Sequence, residues 1–386
     1  MGDRTTYDVI IIGAGSVGTP TALYLAEVGV KTLVIDRCAS VGQGASKAAI
    51  GGIRATHSDA AKITTCLKSI EIFSQWKEIY GNDIEWSRGG YSFIAYRERE
   101  EKILKDLLTV QQSHGLDIDW LDRDDLLEVV PDLNRDGLIG GTWSPGDGSA
   151  SPLLATYVFY RRALELGAEF RFNETVSEIL QKNGRVTGVV TDQGTREAPV
   201  VINAAGAGAR GVARMAGLDV PVVPDSHEAG VTEPVAPFLR PMIVDIRPTE
   251  GSANYYFYQH ATGQVIFCVT PDPPIVGTDR RETSGFLPHI SRRMVDLMPR
   301  LRNIKVRRTW RGLYPMTPDA SPIVGRVEEV EGYIHAVGMC GQGFMLGPGL
   351  AHVLVRLVRD ELTSDDEEVL DRFSPYRDFT GAEQLK

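Results

Sequence analysis

Residues 7–12 read YDVIII, a continuous apolar run of the kind buried on both faces of a parallel sheet. A glycine-rich turn follows from Gly13 to Gly18. The next stretch, about Ser16 to Val28, has helical spacing: Gly18, Ala22, Leu25 and Ala26 share one face. Small residues on that face let the helix lie close to the sheet, and Gly29 stops it. A second apolar run, residues 31–35, closes at Asp36. The pattern is a βαβ opening.

Further on the periodicity changes several times. A Gly/Ala/Ser loop spans 42–52, and Ser58 and Asp59 open a long helix to about Tyr80. The strand-like run YSFIAY (91–96) and the charged helix after Arg97 read as a different layer. Residues 131–152, rich in Pro, Gly and Asp, read as a crossing between domains. A helix is predicted over 153–167, then strands over 169–180, 185–191 and 199–203. VVINAAGAGA (200–209) is a second apolar strand with its own glycine turn. Residues 222–308 are β-rich. A strand at 333–338, a third glycine turn and a closing helix from about Gly349 complete the chain.

The first turn carries chemistry. Gly13, Gly15 and Gly18 fit G-x-G-x-x-G, between a strand and a helix, with an acid at the end of the next strand. The three glycines permit a tight turn, close approach of backbone to a pyrophosphate, and helix–strand packing. Free N–H groups from Ser16 onward favour an anion. Asp36, with Arg37 beside it, is placed to accept ribose hydroxyls and to repel a 2′-phosphate. By itself the motif specifies a dinucleotide and does not separate FAD from NAD.

Composition narrows the rest. At 386 residues, two or three domains are expected. A net charge of −10 supplies no basic field for nucleic acid. Four cysteines without a CxxC pair or a neighbouring His cluster argue against a metal site and for a reducing compartment, hence the cytoplasm. A strand starting near Tyr7 leaves no room for a signal peptide, and no apolar stretch is long enough for a membrane span.

The residues that decide the cofactor lie later. They are Gly42-Gln-Gly44-Ala45-Ser46, Gly51-Gly52-Ile53-Arg54, Asn203-Ala-Ala-Gly206, Trp310-Arg-Gly-Leu-Tyr314, Thr317-Pro-Asp319, Pro322-Ile-Val-Gly325 and Gly341-Gln-Gly343-Phe344. In this order they resemble the FAD-dependent D-amino-acid-oxidase superfamily, in its sarcosine oxidase and glycine oxidase branch. Within that branch the resemblance is strongest to the β subunits of dye-linked L-proline dehydrogenase and heterotetrameric sarcosine oxidase. Gly90-Tyr91, Asp147-Gly148 and Ser151-Pro152 extend it over nearly the whole chain.

The resemblance implies an α/β protein: a Rossmann-like FAD-binding domain (1–88, 148–221, 309–386) and an interleaved α+β substrate domain on a mostly antiparallel sheet (89–147, 222–308). It implies that Ser46 and Lys47 contact the pyrophosphate, that Val176 touches the adenine side, and that Ala205 and Gly206 line the dinucleotide. Gly52 lies beside the flavin, and Gly343, Phe344 and Met345 offer N–H groups to its C2 carbonyl. Gly312 stands where monomeric relatives carry a tethering Cys, so FAD is expected to be non-covalent. Met345 and the stretch Val265 to Thr270 lack the lysines of the oxidases, which favours a dehydrogenase.

The implied reaction is oxidation of the C–N bond of a small amino acid (sarcosine, proline, glycine or an N-substituted glycine) to an imine, by hydride transfer to flavin N5. Two alternatives stay open: a 2-hydroxy-acid dehydrogenase, and a non-catalytic flavin subunit of a larger complex. The expected partners are a small carboxylate-bearing amine and an electron acceptor or partner subunit. Arg54 and Arg311 are candidate carboxylate clamps. His57 and His227 are candidate bases, because imidazole titrates near neutrality. In the alternating run around Tyr255, either Tyr256 or Tyr258 lines the pocket, and Met345 walls the flavin edge.

Overall fold

The computed structural model describes residues 6–381 and 383–385. Its first layer is a six-stranded sheet in the order Ile323–Arg326, Tyr333–Val337, Val200–Asn203, Val9–Ile12, Thr32–Asp36, Glu169–Phe172. All neighbours are parallel except the first pair. The apolar run found at the start of the sequence is the centre of this sheet, buried on both faces. Val9, Ile11 and Val34 pack under the helices Gly18–Glu27, Pro152–Glu165, Ala60–Tyr80 and Gly343–Arg359. Ile10, Ile12, Leu33 and Ile35 pack under a three-stranded antiparallel sheet, Val176–Lys182, Arg185–Thr191 and Gly194–Glu197.

The second layer is an eight-stranded sheet. Its order is Val306–Met316, Val223–Pro234, Gln264–Asp272, Gly251–Gln259, Met242–Asp245, Tyr91–Ala95, Gly140–Trp143, Asp119–Asp122. Only Met242–Asp245 and Tyr91–Ala95 run parallel to each other. Alternation gives this sheet two apolar faces. Tyr255, Phe257 and Phe267 face the amphipathic helix Phe286–Leu297. Tyr91, Phe93, Met242 and Cys268 face the first layer. The α/β fold with an interleaved second sheet is therefore present as expected, and the second sheet is mostly antiparallel with one parallel pair. The strand Val306–Met316 runs across the expected boundary at 308/309.

Three element expectations change. The strand predicted over 169–180 is two strands in different sheets, broken where Asn173 adopts φ 53°. The closing helix starts at Gly343 rather than near Gly349, directly on the third glycine turn. The crossing at 131–152 holds a strand of the second sheet, Gly140–Trp143. The long helix begins as its cap residues dictate: Asp59 accepts from the Lys62 N–H at 3.1 Å, and Gly81 ends it at φ 75°. No described helix is long and apolar enough to cross a membrane.

Candidate active site

Between the two layers runs a continuous cleft of about 430 Å³, from Asp36 at one end to Tyr314 and Arg280 at the other. The first glycine turn forms one wall because nothing larger fits. A Cβ on Gly13 would lie 2.4 Å from the Ala204 carbonyl oxygen, and one on Gly18 would lie 1.9 Å from that of Gly13. The Ser16 N–H donates to Ser46 Oγ at 3.0 Å, which sets Ser46 over the helix start. Asp36 accepts from the Ala14 and Cys38 N–H groups, both at 2.8 Å, so its carboxylate is fixed with lone pairs left for the cleft. Arg37, Gly52, Ala205 and Gly206 also line the cleft.

The third glycine turn closes it. The first bond of the closing helix runs from the Leu346 N–H to the Gln342 carbonyl, 3.0 Å. The N–H groups of Gly343, Phe344 and Met345 precede that bond, so they carry the positive end of a helix of 17 residues. All three residues line the cleft. A glycine cradle, a fixed acid and a free helix start along one groove fit a flavin dinucleotide. Gly312 is explained by packing: a Cβ there would come 2.8 Å from that of Ala48. Cys340 lines the cleft, but its thiol donates to the Gly338 carbonyl at 3.0 Å and lies 3.2 Å from Thr317 Oγ1. Burial raises its pKa, which keeps it a neutral thiol.

The other end of the cleft belongs to the second sheet. Asp225, His227, Tyr256 and Tyr314 come from three strands and point the same way. The His227 ring stacks on Tyr314, with centroids 3.7 Å apart. The hydroxyls of Tyr314 and Tyr256 lie 2.8 Å apart. His227 Nε2 is 3.3 Å from Asp225 Oδ2. Its Nδ1 is buried and has no hydrogen-bond partner among the described residues. Burial, reinforced by Arg311, holds the His227 pKa below its ordinary value against the opposing effect of Asp225. Burial, followed by Cys268, holds both phenols well above theirs.

The remaining candidates are distributed differently. Arg54 reaches the cleft wall, but its guanidinium donates to the carbonyls of Thr56 and Leu385 and lies over the Phe93 ring. His57 does not line the cleft. It is fully buried between Arg54, Cys66 and Glu383, and burial followed by the Arg54 charge lowers its pKa well below normal. Tyr258 lies just behind the wall, donating to the Ile50 carbonyl at 2.6 Å. Arg311 points away from the cleft and donates to the Arg281 carbonyl at 3.0 Å. Lys47 is exposed and Val176 packs in the three-stranded sheet's core; neither lines the cleft. Met345 does.

Sequence reasoning passed over Tyr314, Asp225 and Arg280. Alternation from Gly312 was a signal for Tyr314, and alternation from His227 was one for Asp225. Arg280 sits in an irregular exposed loop and gave none.

The sequence profile described as "DAO: FAD dependent oxidoreductase" matches residues 8–357. Glycine oxidase of Bacillus licheniformis is 25% identical over 366 residues, 92% of this chain and 94% of that protein. Sarcosine oxidase subunit beta of Rhodobacter capsulatus is 24% identical, covering 92% of this chain and 85% of the relative. The chain spans 40–46% of the length of three other curated relatives. The crystal structure of L-proline dehydrogenase from P. horikoshii superposes with a TM-score of 0.90 at 30% identity, covering 97% of this chain and 98% of that one. The chain belongs to the DAO family of FAD-dependent oxidoreductases, and FAD is its cofactor.

Proposed function

We propose that this enzyme oxidises the C–N bond of a small amino acid to the imine, the substrate being sarcosine, proline, glycine or another N-substituted glycine. The observation that carries this reading is His227, a cleft-lining residue held by Asp225 at Nε2 and unpartnered at its buried Nδ1. The names of the relatives agree with it: a glycine oxidase, a sarcosine oxidase subunit and a proline dehydrogenase.

The residues divide the work. With the His227 proton on Nε2, facing Asp225, the buried Nδ1 keeps an unpartnered lone pair beside the cleft. A lowered pKa keeps that imidazole neutral at pH 7, so it accepts an N–H bond from the amine and orients the nitrogen lone pair. Tyr256 and Tyr314, half-buried and un-ionised, form the cleft wall beside it. Tyr91, Phe93, Met242 and Val244 complete an apolar floor that disfavours a charged ammonium. Ser46, Asp36 and the N–H groups of Gly343–Met345 would hold FAD, which would supply the two-electron acceptor.

The electrons are assigned to a carrier or partner subunit rather than to oxygen. Supporting this, no lysine stands among the described residues lining the cleft, and Val265 to Thr270 contains none. Four free cysteines suit the cytoplasm. Anaerobic titration of the FAD-loaded enzyme with amines and 2-hydroxy acids tests the reading. Bleaching by an N-substituted amino acid is expected, and bleaching by hydroxy acids alone would overturn it.

A further inference from the structure

The cations among the cleft-lining residues are Arg37, Arg54 and Arg280. Arg37 follows Asp36 at the ribose end. Arg54 is committed to Thr56, Leu385 and Phe93. Arg280 alone stands at the substrate end with no hydrogen bond or ion pair among the described residues. We infer that Arg280 binds the substrate carboxylate, an inference that rests on the amino-acid reading above.

The loop carrying Arg280 is exposed, yet its backbone is fastened on both sides. Before it, the Gly277 N–H donates to the Pro224 carbonyl at 2.8 Å, and Ile275 accepts from the Ser226 N–H at 3.1 Å. These bonds lay the loop against Asp225 and so against His227. After it, Arg311 donates to the Arg281 carbonyl, and Thr283 binds Glu228 through its N–H (2.6 Å) and hydroxyl (2.7 Å). The Arg281 side chain is turned out and paired with Asp279 at 2.7 Å. The loop therefore fixes the Cα of Arg280 and leaves its guanidinium free at the mouth of the cleft.

That arrangement matches an α-amino acid. Its amine and carboxylate are one carbon apart, and the cleft is lined by His227, whose Nδ1 has no partner among the described residues, and by a planar cation on the loop pinned beside it. A guanidinium engages both oxygens of a carboxylate, which an ammonium does not. Arg311, expected from sequence to be a clamp itself, becomes a positioning residue for the loop.

The test uses the FAD-loaded enzyme, Arg280→Ala, Arg280→Lys and, as a charge control, Arg281→Ala. Dissociation constants for pyrrole-2-carboxylate and acetate are read from perturbation of the flavin absorption and from calorimetry. Anaerobic reduction by L-proline, sarcosine and the carboxylate-free amine pyrrolidine is followed alongside. Arg280→Ala is expected to weaken pyrrole-2-carboxylate about 10- to 100-fold, the scale of a lost charge-assisted pair. It should raise the proline-to-pyrrolidine ratio of half-saturating concentrations at least tenfold. Arg280→Lys should fall between, and Arg281→Ala should change the acids by less than about twofold. Unchanged acid binding in Arg280→Ala, equal loss in Arg281→Ala, or no acid binding by the wild type would overturn the assignment. If acids bind through Arg280 but no amine bleaches the flavin, the amine-oxidation reading fails while Arg280 stands as a carboxylate site.

Discussion

Replacing Gly347 by Ala sets two effects of opposite sign against each other. Gly347 lies inside the closing helix, where Ala is favoured intrinsically by about 1 kcal/mol. Its Cβ, however, would stand 1.9 Å from the Ser16 carbonyl oxygen and 2.8 Å from the carbonyl carbon. Ordinary contact needs about 3.4 Å, and both partners are backbone, so helix and glycine turn must separate by more than an ångström. Overpacking of this kind costs about 1–3 kcal/mol, which outweighs the propensity gain. The separation also parts the two groups proposed to hold FAD, the helix start at Gly343–Met345 and the turn at Ser16. Gly211→Ala is the matched control: it is helical and has nothing within 4 Å of its new Cβ. Urea denaturation and FAD titration by flavin fluorescence measure both. Gly347→Ala is expected to lose stability and to bind FAD at least tenfold more weakly, while Gly211→Ala is neutral or slightly more stable. A Gly347→Ala enzyme with wild-type FAD affinity would refute the close helix–turn contact.

Glu383, fully buried beside Lys62 at 3.2 Å, should cost about 3–5 kcal/mol when changed to Ala, because Lys62 is left as an uncompensated charge; an unchanged denaturation midpoint would contradict the pairing. Burial would raise the Glu383 carboxyl, but Lys62 and then His57 hold it at about 2, below the ordinary value, so this stabilisation is present above about pH 4.5 and is lost as pH falls toward 2. His335 is held at about 4 by burial; the unfolded chain takes up that proton near pH 6.5 and the folded one resists it, so stability should fall by up to about 3 kcal/mol between pH 6.5 and 4. His335→Gln should flatten that dependence in a series of melts. Arg54→Lys should lower stability by about 1–3 kcal/mol through its lost carbonyl bonds and shift the dissociation constant of pyrrole-2-carboxylate less than about threefold; the reverse pattern would restore Arg54 as the clamp.

The cofactor half of the protein was legible because its signals are local. The run YDVIII, the three glycines and Asp36 sit within thirty residues, and each has one physical use. The substrate half was only partly legible. Alternation correctly separated Tyr256 from Tyr255, but it did not say which face met the cleft. His57 read as a base because it follows Arg54 by three residues. Its burial is set by Glu383, more than three hundred residues away in sequence, and no local pattern reports that. Arg54 was diverted in the same way by Leu385. Arg280 carries no periodicity at all, and its place at the cleft depends on loop bonds to Pro224, Ser226 and Glu228.

The most direct measurement is the absorption spectrum of the purified, FAD-loaded enzyme during anaerobic addition of sarcosine, L-proline, glycine and a matched set of 2-hydroxy acids. Loss of the flavin band with at least one amino acid, followed by fast reoxidation with an artificial dye and slow reoxidation in air, is the predicted result. A flavin that no amino acid bleaches, or one bleached only by hydroxy acids, would contradict C–N oxidation at the His227 end of the cleft.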